Sequence, residues 1–345
     1  MRALTISSHG GLDRLEVRDD VPVPQLRRAD DVRVRVRAAA LNHLDLFVVA
    51  GMPGVTIVPP WPMGADGCGI VDAVGSEAGD LSAGDYVVIN PGIADRTCEY
   101  CQQGEQPLCP RFAILGEHLP GTIAEYVVVP AANLRTIPTS IPPEDAAAYP
   151  LVTLTAWRMI VTRARVQPAE NVLIWGIGGG VALAALQICK QIGARVWVVS
   201  SSDDKLRRAQ ALGADELLNR TTMDVPRVIR ERTNKRGMDV VVDNVGHETW
   251  SQSLLALGRR GRLVTCGGTS GPMVETDVRR LFWNQWSILG STMGNDAEFD
   301  AVVAELREGR LSATVDSVFP LADGRLAFER LASGRQFGKV VVRVS

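Results

Sequence analysis

Apolar residues recur along this chain in two rhythms. From the start to about residue 144 the pattern is short and strand-like. Val32-Arg33-Val34-Arg35-Val36-Arg37 alternates with period two, the mark of a half-buried strand. Brief apolar runs follow over 69–74, 85–89 and 125–129, each bounded by Gly, Pro or Asn. Near residue 144 the pattern changes. Pro143-Glu144-Asp145 has the proline and first-turn acids of a helix start. A strand is then predicted over 171–175, a helix over 181–192 closed by Gly193, a strand over 195–199 and a helix over 205–212 closed by Gly213. Strands over 239–243 and 261–266, a helix over 300–308 and a last strand over 339–344 complete the series. Strands alternating with helices predict an α/β class protein, with a doubly wound parallel sheet next to a β-rich region.

Composition narrows what such a chain can do. Its 345 residues suit two domains, and 46% hydrophobic with 22% charged residues is a globular balance. A net charge of −2 with no basic block argues against nucleic acid as a partner. No apolar run approaches the roughly 20 residues that span a bilayer, so no membrane partner is expected. The opening Met1-Arg2-Ala3-Leu4 lacks the apolar core of a signal peptide, and a cytoplasmic protein is expected.

The segment Trp175-Gly176-Ile177-Gly178-Gly179-Gly180-Val181-Ala182 follows a predicted strand and opens a predicted helix. That is the setting of a dinucleotide fingerprint: glycines let the backbone approach a pyrophosphate, and the helix N-terminus offers N–H groups to it. The plain alternative is a glycine-rich turn without a ligand. At the end of the next strand, where NAD sites place an acid for the ribose hydroxyl, stands Ser200. Lys205, Arg207 and Arg208 follow, so NADP(H) is favoured over NAD(H). Asp203 or Asp204 reaching back to the ribose would reverse that preference.

Six cysteines are present, and three of them, Cys98, Cys101 and Cys109, fall within twelve residues. With Asp95, three residues before Cys98, they form a Cys₃Asp set suited to one tetrahedral structural zinc. Such a set leaves no open position. The alternative is three reduced cysteines on a loop.

With these pieces in order, the chain resembles the medium-chain dehydrogenase/reductase superfamily, which holds zinc alcohol dehydrogenases and quinone oxidoreductases. The matching residues are Asn42-His43-Leu44-Asp45, Gly64-Ala65-Asp66-Gly67-Cys68-Gly69, the cysteine lobe, the glycine turn and Gly338-Lys339-Val340-Val341. The resemblance implies a GroES-like catalytic domain from residues 1–150 and 295–345, with a zinc lobe over 92–112, and a Rossmann domain over 151–294. It implies cofactor and substrate meeting in the cleft between them. It also implies cofactor contacts from Thr155, Gly176, Gly179, Gly180, Val181, Ser200, Lys205, Asn244, Gly267, Gly268 and Thr269, with Lys339 as a basic phosphate contact. The family's structural zinc lobe has four cysteines, the first falling on Asp95. The family's catalytic zinc ligands fall on Asn42, Ala65 and Leu151, which cannot replace them, and only Asp66 is retained. Leu44 takes the place of the proton-relaying hydroxyl.

A chain so equipped is expected to be an oxidoreductase without a catalytic zinc. A quinone or α,β-unsaturated carbonyl spreads the arriving charge onto its own oxygen, so hydrogen-bond donors can suffice. Asn42 is the candidate contact to that oxygen, and His43 and Asp45 order the segment or pass a proton. Their alternative role is to satisfy backbone groups in a buried turn. The competing functions are a zinc-type alcohol dehydrogenase and a catalytically silent cofactor-binding sensor. Trp61, Trp283 and Trp286 are candidates for an apolar pocket, or else core residues. The apolar stretch 281–289 is a candidate interface for a homodimer or homotetramer acting on a small-molecule substrate.

Overall fold

The computed structural model describes all 345 residues. Contacts divide the chain into Met1–Val152 with Asn295–Ser345 as one unit and Thr153–Gly294 as the other. The first unit is built on a seven-stranded sheet. Its order is Leu134–Thr136, Tyr86–Ile89, Asp66–Val74, Asp31–Ala40, Lys339–Arg343 and Val315–Pro320, with Tyr126–Pro130 also paired to Asp31–Ala40. Val32, Val34 and Val36 point into the core against Leu4, Ile6 and Phe328, while the intervening arginines stay outside it.

Register in this sheet places the site. Ala40, near the end of its strand, pairs with Asp66 on one side and Val341 on the other. The chain then turns at Asn42 into a helix, His43–Ala50. Three segments far apart in sequence therefore converge at one sheet end, and the first residue of the last strand is Lys339.

The second unit is a six-stranded, all-parallel sheet in the order Glu216–Asn219, Arg195–Ser200, Asn171–Ile174, Met238–Val242, Leu257–Thr265, Ser287–Gly290. Leu173, Trp197, Val241 and Leu263 fill one of its faces. Apolar runs over the central strands reflect burial on both faces. The strand Glu216–Asn219 and the helix Val225–Arg232 escape the sequence reading because each is short and mixed in polarity. The helix Asp203–Ala211 starts two residues earlier than the pattern predicts, because the Ser202 hydroxyl caps it by accepting the Lys205 N–H at 3.4 Å. No helix is long and apolar enough to cross a membrane.

Candidate active site and metal centre

In the first unit, Asp66 is wholly buried and Lys339 is 4% exposed. The Lys339 ammonium donates to Asp66 Oδ2 at 2.9 Å and to Asn42 Oδ1 at 2.5 Å. Asn42 Nδ2 donates to the same Asp66 Oδ2 at 3.0 Å. The other Asp66 oxygen accepts the Leu151 N–H at 2.8 Å, in the first turn of the helix Pro150–Trp157. Ala65 is buried and offers no ligand atom. The cluster is one carboxylate, one amide and one ammonium, and its positive charge is a side chain. Such a donor set does not fit a zinc ion, because the oxygens a metal would need already accept from Lys339.

This arrangement corrects the expected role of Lys339. Its ammonium is buried and committed to two oxygens, so it is not a free basic contact for a cofactor phosphate. A lone Asp66 beside Ala65 was the available signal, since a buried acid without metal requires a cation. No local spacing names Lys339 as that cation.

Asn42 also precedes the helix His43–Ala50, and its own N–H donates to Asp45 Oδ2 at 2.7 Å. Asp45 is 1% exposed. Burial pushes its carboxyl up to about 7, against the opposing pull of the Asn42 backbone and Lys339. Its geometry orders the segment. His43 lies on a helix rather than in a buried turn. It is the first helical residue and is open to solvent. The surrounding protein and the Lys339 charge hold its imidazole below the usual range.

In the second unit the glycine turn has the backbone a dinucleotide needs. Gly176 (φ +67°) and Gly178 (φ +116°) occupy conformations that L side chains rarely adopt. Gly179 precedes the helix Gly180–Ile192. A Cβ at Gly178 would lie 2.9 Å from Lys205 Cδ and 3.4 Å from Lys205 Nζ, so the lysine lies directly over the turn. Ser200 ends its strand and is buried, its Oγ accepting the Ser202 N–H at 3.1 Å. Asp203 accepts from Asn219 Nδ2 at 2.6 Å and Asp204 pairs with Arg207, so both carboxylates are already engaged.

The loops after the next strands close the same sheet end. Asn244 O accepts from both Thr269 N and Thr269 Oγ1 at 3.4 Å. A Cβ at Gly267 would lie 3.8 Å from Asn244 O, and one at Gly268 would meet Gly271 O at 2.9 Å. Buried Asp243, unmarked by any motif, organises this loop by accepting from Val245 N, Gly246 N, Thr249 Oγ1 and Ser253 Oγ. Thr155 is buried with its hydroxyl 3.9 Å from Met293 Sδ. Val181 lies in the first turn of the helix. These residues occupy the strand C-termini, the ligand-binding end of a doubly wound sheet.

A candidate metal centre lies in the lobe of the first unit. One ligand atom each from Asp95, Cys98, Cys101 and Cys109 lies within 4.8 Å of the others. A tetrahedral zinc with Zn–S bonds of about 2.3 Å separates its ligands by about 3.8 Å, so the set fits with a small contraction. Asp95 Oδ1 accepts the N–H groups of Thr97 (2.8 Å) and Cys98 (3.0 Å), which hold its carboxyl well below the usual range. Arg111 pairs with Oδ2 at 2.8 Å. A carboxylate has further lone pairs for a metal. By contrast, burial pushes the Cys68 and Cys266 thiols up to about 12 and leaves them inert.

The tryptophans divide. Trp61 donates to Gly116 O at 3.0 Å and Trp286 to Gly258 O at 2.8 Å, both as buried core. Trp283 is 73% exposed on a helix, Val278–Asn284, that has no fully buried residue and packs on the core through Leu281.

Both units match known domains. A model of the alcohol dehydrogenase GroES-like domain matches residues 28–139, and a zinc-binding dehydrogenase model matches residues 180–308. The chain belongs to the medium-chain dehydrogenase/reductase superfamily and is an NAD(P)-dependent oxidoreductase. Among its relatives is a NAD-dependent alcohol dehydrogenase of Sulfolobus acidocaldarius, 30% identical over 100% of both chains. Another is an acryloyl-coenzyme A reductase of Metallosphaera sedula, 30% identical over 99% of both chains. A crystal structure of a NAD-dependent alcohol dehydrogenase is 45% identical, with a TM-score of 0.96 over 100% of both chains.

Proposed function

We propose that this chain is an NADP(H)-dependent reductase of a C=C bond conjugated to a carbonyl, in an enone, quinone or enoyl thioester. The observation that carries the reading is the Lys339 ammonium lodged between Asn42 and Asp66. Without a Lewis acid, alcohol oxidation loses its main means of stabilising an alkoxide, and this cluster has no free ligand set for one. A conjugated carbonyl needs only a donor at its oxygen.

A nicotinamide cofactor, when bound, would supply the hydride that adds to the β-carbon of the substrate. Electrons then move to the carbonyl oxygen, giving an enolate. Asn42 donates to that oxygen from Nδ2. His43, the titratable side chain of this segment that is open to solvent, passes a proton inward, and the α-carbon is protonated as the C=O re-forms. Gly176, Gly178 and Gly179 would let the backbone approach a pyrophosphate, and the first N–H groups of the helix Gly180–Ile192 would be its donors. Ser200 leaves room for a 2′-phosphate, and Lys205 supplies charge near it. Thr155, Asn244, Gly267, Gly268, Thr269, Gly180 and Val181 complete the cofactor contacts. Asp95, Cys98, Cys101 and Cys109 would hold one structural zinc that ties the lobe together. The exposed Phe282 and Trp283, next to the outer strand Ser287–Gly290, support a homodimer or homotetramer.

The second reading, an alcohol dehydrogenase using NAD(H), is favoured by the 45% identical crystal structure of that description. One experiment separates the two. NADPH and NADH oxidation is followed over enones, quinones, enoyl thioesters and aldehydes, with alcohol oxidation in the reverse direction and zinc analysis of the same sample. The proposal expects C=C reduction with NADPH and one zinc per chain. Two zincs per chain, or turnover confined to alcohols and aldehydes, would overturn it.

A further inference from the structure

The amide of Asn42 has two possible orientations, and its surroundings permit one. Its oxygen faces the Lys339 ammonium at 2.5 Å, and its nitrogen faces the Asp66 carboxylate at 3.0 Å. A flip would press the NH₂ group against an ammonium and the oxygen against a carboxylate. The Lys339–Asp66 pair at 2.9 Å closes the triangle. One Nδ2–H is spent on Asp66. The other meets Ala40 O only at 3.5 Å, outside the ordinary range for a hydrogen bond. That weakly held N–H is the one a stronger acceptor could take over.

We propose that Lys339 is a positioning residue for the reduction, one that locks the Asn42 amide with that N–H toward the substrate oxygen. The inference rests on the reading of Asn42 as the donor to that oxygen. Accepting from an ammonium also polarises the amide, which strengthens its remaining N–H as a donor. The buried cation thus acts on the developing enolate through Asn42 and without touching it. The lock needs no movement during the reaction, the condition under which an oxyanion donor is most effective.

The test uses Lys339→Met in the full-length holoenzyme, with a series of ring-substituted aryl enones as the probe. Removing one oxyanion donor costs about 10²–10³ in kcat, and disordering one is expected to cost about 10–100-fold. The KM for NADPH is expected to stay within about twofold, because the cofactor binds other residues. The decisive readout is the slope of log kcat against substituent electron demand. Loss of the lock steepens it, because the substrate must then stabilise its own enolate. A merely structural Lys339 would lower every rate alike and leave the slope unchanged, overturning the inference. If Lys339→Met fails to fold through the orphaned Asp66, the double variant Lys339→Met/Asp66→Asn removes both charges and is expected to show the same steepening. An unchanged slope there would overturn the inference equally. Wild-type protein that reduces no enone would sink the functional reading and this inference together. Wild-type activity with an unaltered variant slope would sink the inference alone.

Discussion

The first unit carries two polar clusters at positions where metal sites are expected, and they have diverged in opposite ways. In the lobe, Asp95 stands with Cys98, Cys101 and Cys109, and the four ligand atoms gather within 4.8 Å. One cysteine of the family pattern has become a carboxylate, which is still an anionic zinc ligand. At the other site, Asn42, Ala65 and Leu151 stand in the ligand positions, and the retained acid, Asp66, pairs with Lys339. A ligand set can still suit a metal after a change of ligand type, and no longer suits one once its anionic donors are lost. Once too few remain, burial demands a different cation, and a lysine from the last strand fills that need.

Four experiments press on this contrast, in descending order of expected effect. Cys101→Ser is expected to release the lobe zinc, whose binding carries on the order of 10 kcal/mol in small zinc domains. Zinc falls from one per chain to none, and amide exchange becomes fast across residues 92–112. Retained zinc would mean that the four-ligand assignment is wrong.

Asp66→Ala strands a buried ammonium and is expected to destabilise the fold by about 3–5 kcal/mol, read from denaturant unfolding. Adding Lys339→Met should recover much of that loss. Failure to recover would show that the pair is not the compensating element.

The third experiment concerns Asp45. Its folded pKa of about 7 lies above its ordinary 3.8. Between these values the folded state holds a proton the unfolded chain has lost, so stability falls as pH rises across that window. The slope is at most about 1.4 kcal/mol per pH unit, and Asp45→Asn should flatten it. An identical slope in the variant would remove Asp45 from the account.

The smallest effect concerns the nucleotide unit. Lys205→Ala is expected to raise the KM for NADPH about tenfold, or about 1.4 kcal/mol, while leaving NADH nearly unaffected. Equal losses for both cofactors would return the choice between them to the NAD(H) reading. Lys205 lies over the glycine turn, whereas Lys339 is sealed in its pair, so the two lysines should respond to different probes.

The legibility of these features follows from their range in sequence. The glycine turn and the cysteine lobe each lie within about fifteen residues. Their chemistry depends on spacing, and spacing is visible in a string of letters. The parallel sheet was legible for the same reason, since each buried strand is a continuous apolar run next to a periodic helix. His43 shows the limit. Three residues after the strand Asp31–Ala40 it reads as part of a buried turn, yet the Asn42 N–H on Asp45 starts a helix there.

The sequence by itself determined the two-part architecture, the glycine turn and the clustering of Asp95 with the lobe cysteines. Tertiary structure alone decided what surrounds Asp66. Asn42, Asp66 and Lys339 meet because Ala40 pairs with Asp66 on one side and Val341 on the other. A span of almost three hundred residues separates Asn42 from Lys339. Local pattern carries no information about such a contact. Sheet register brings the three together, and the cost of burying an unpaired carboxylate makes the lysine part of the site.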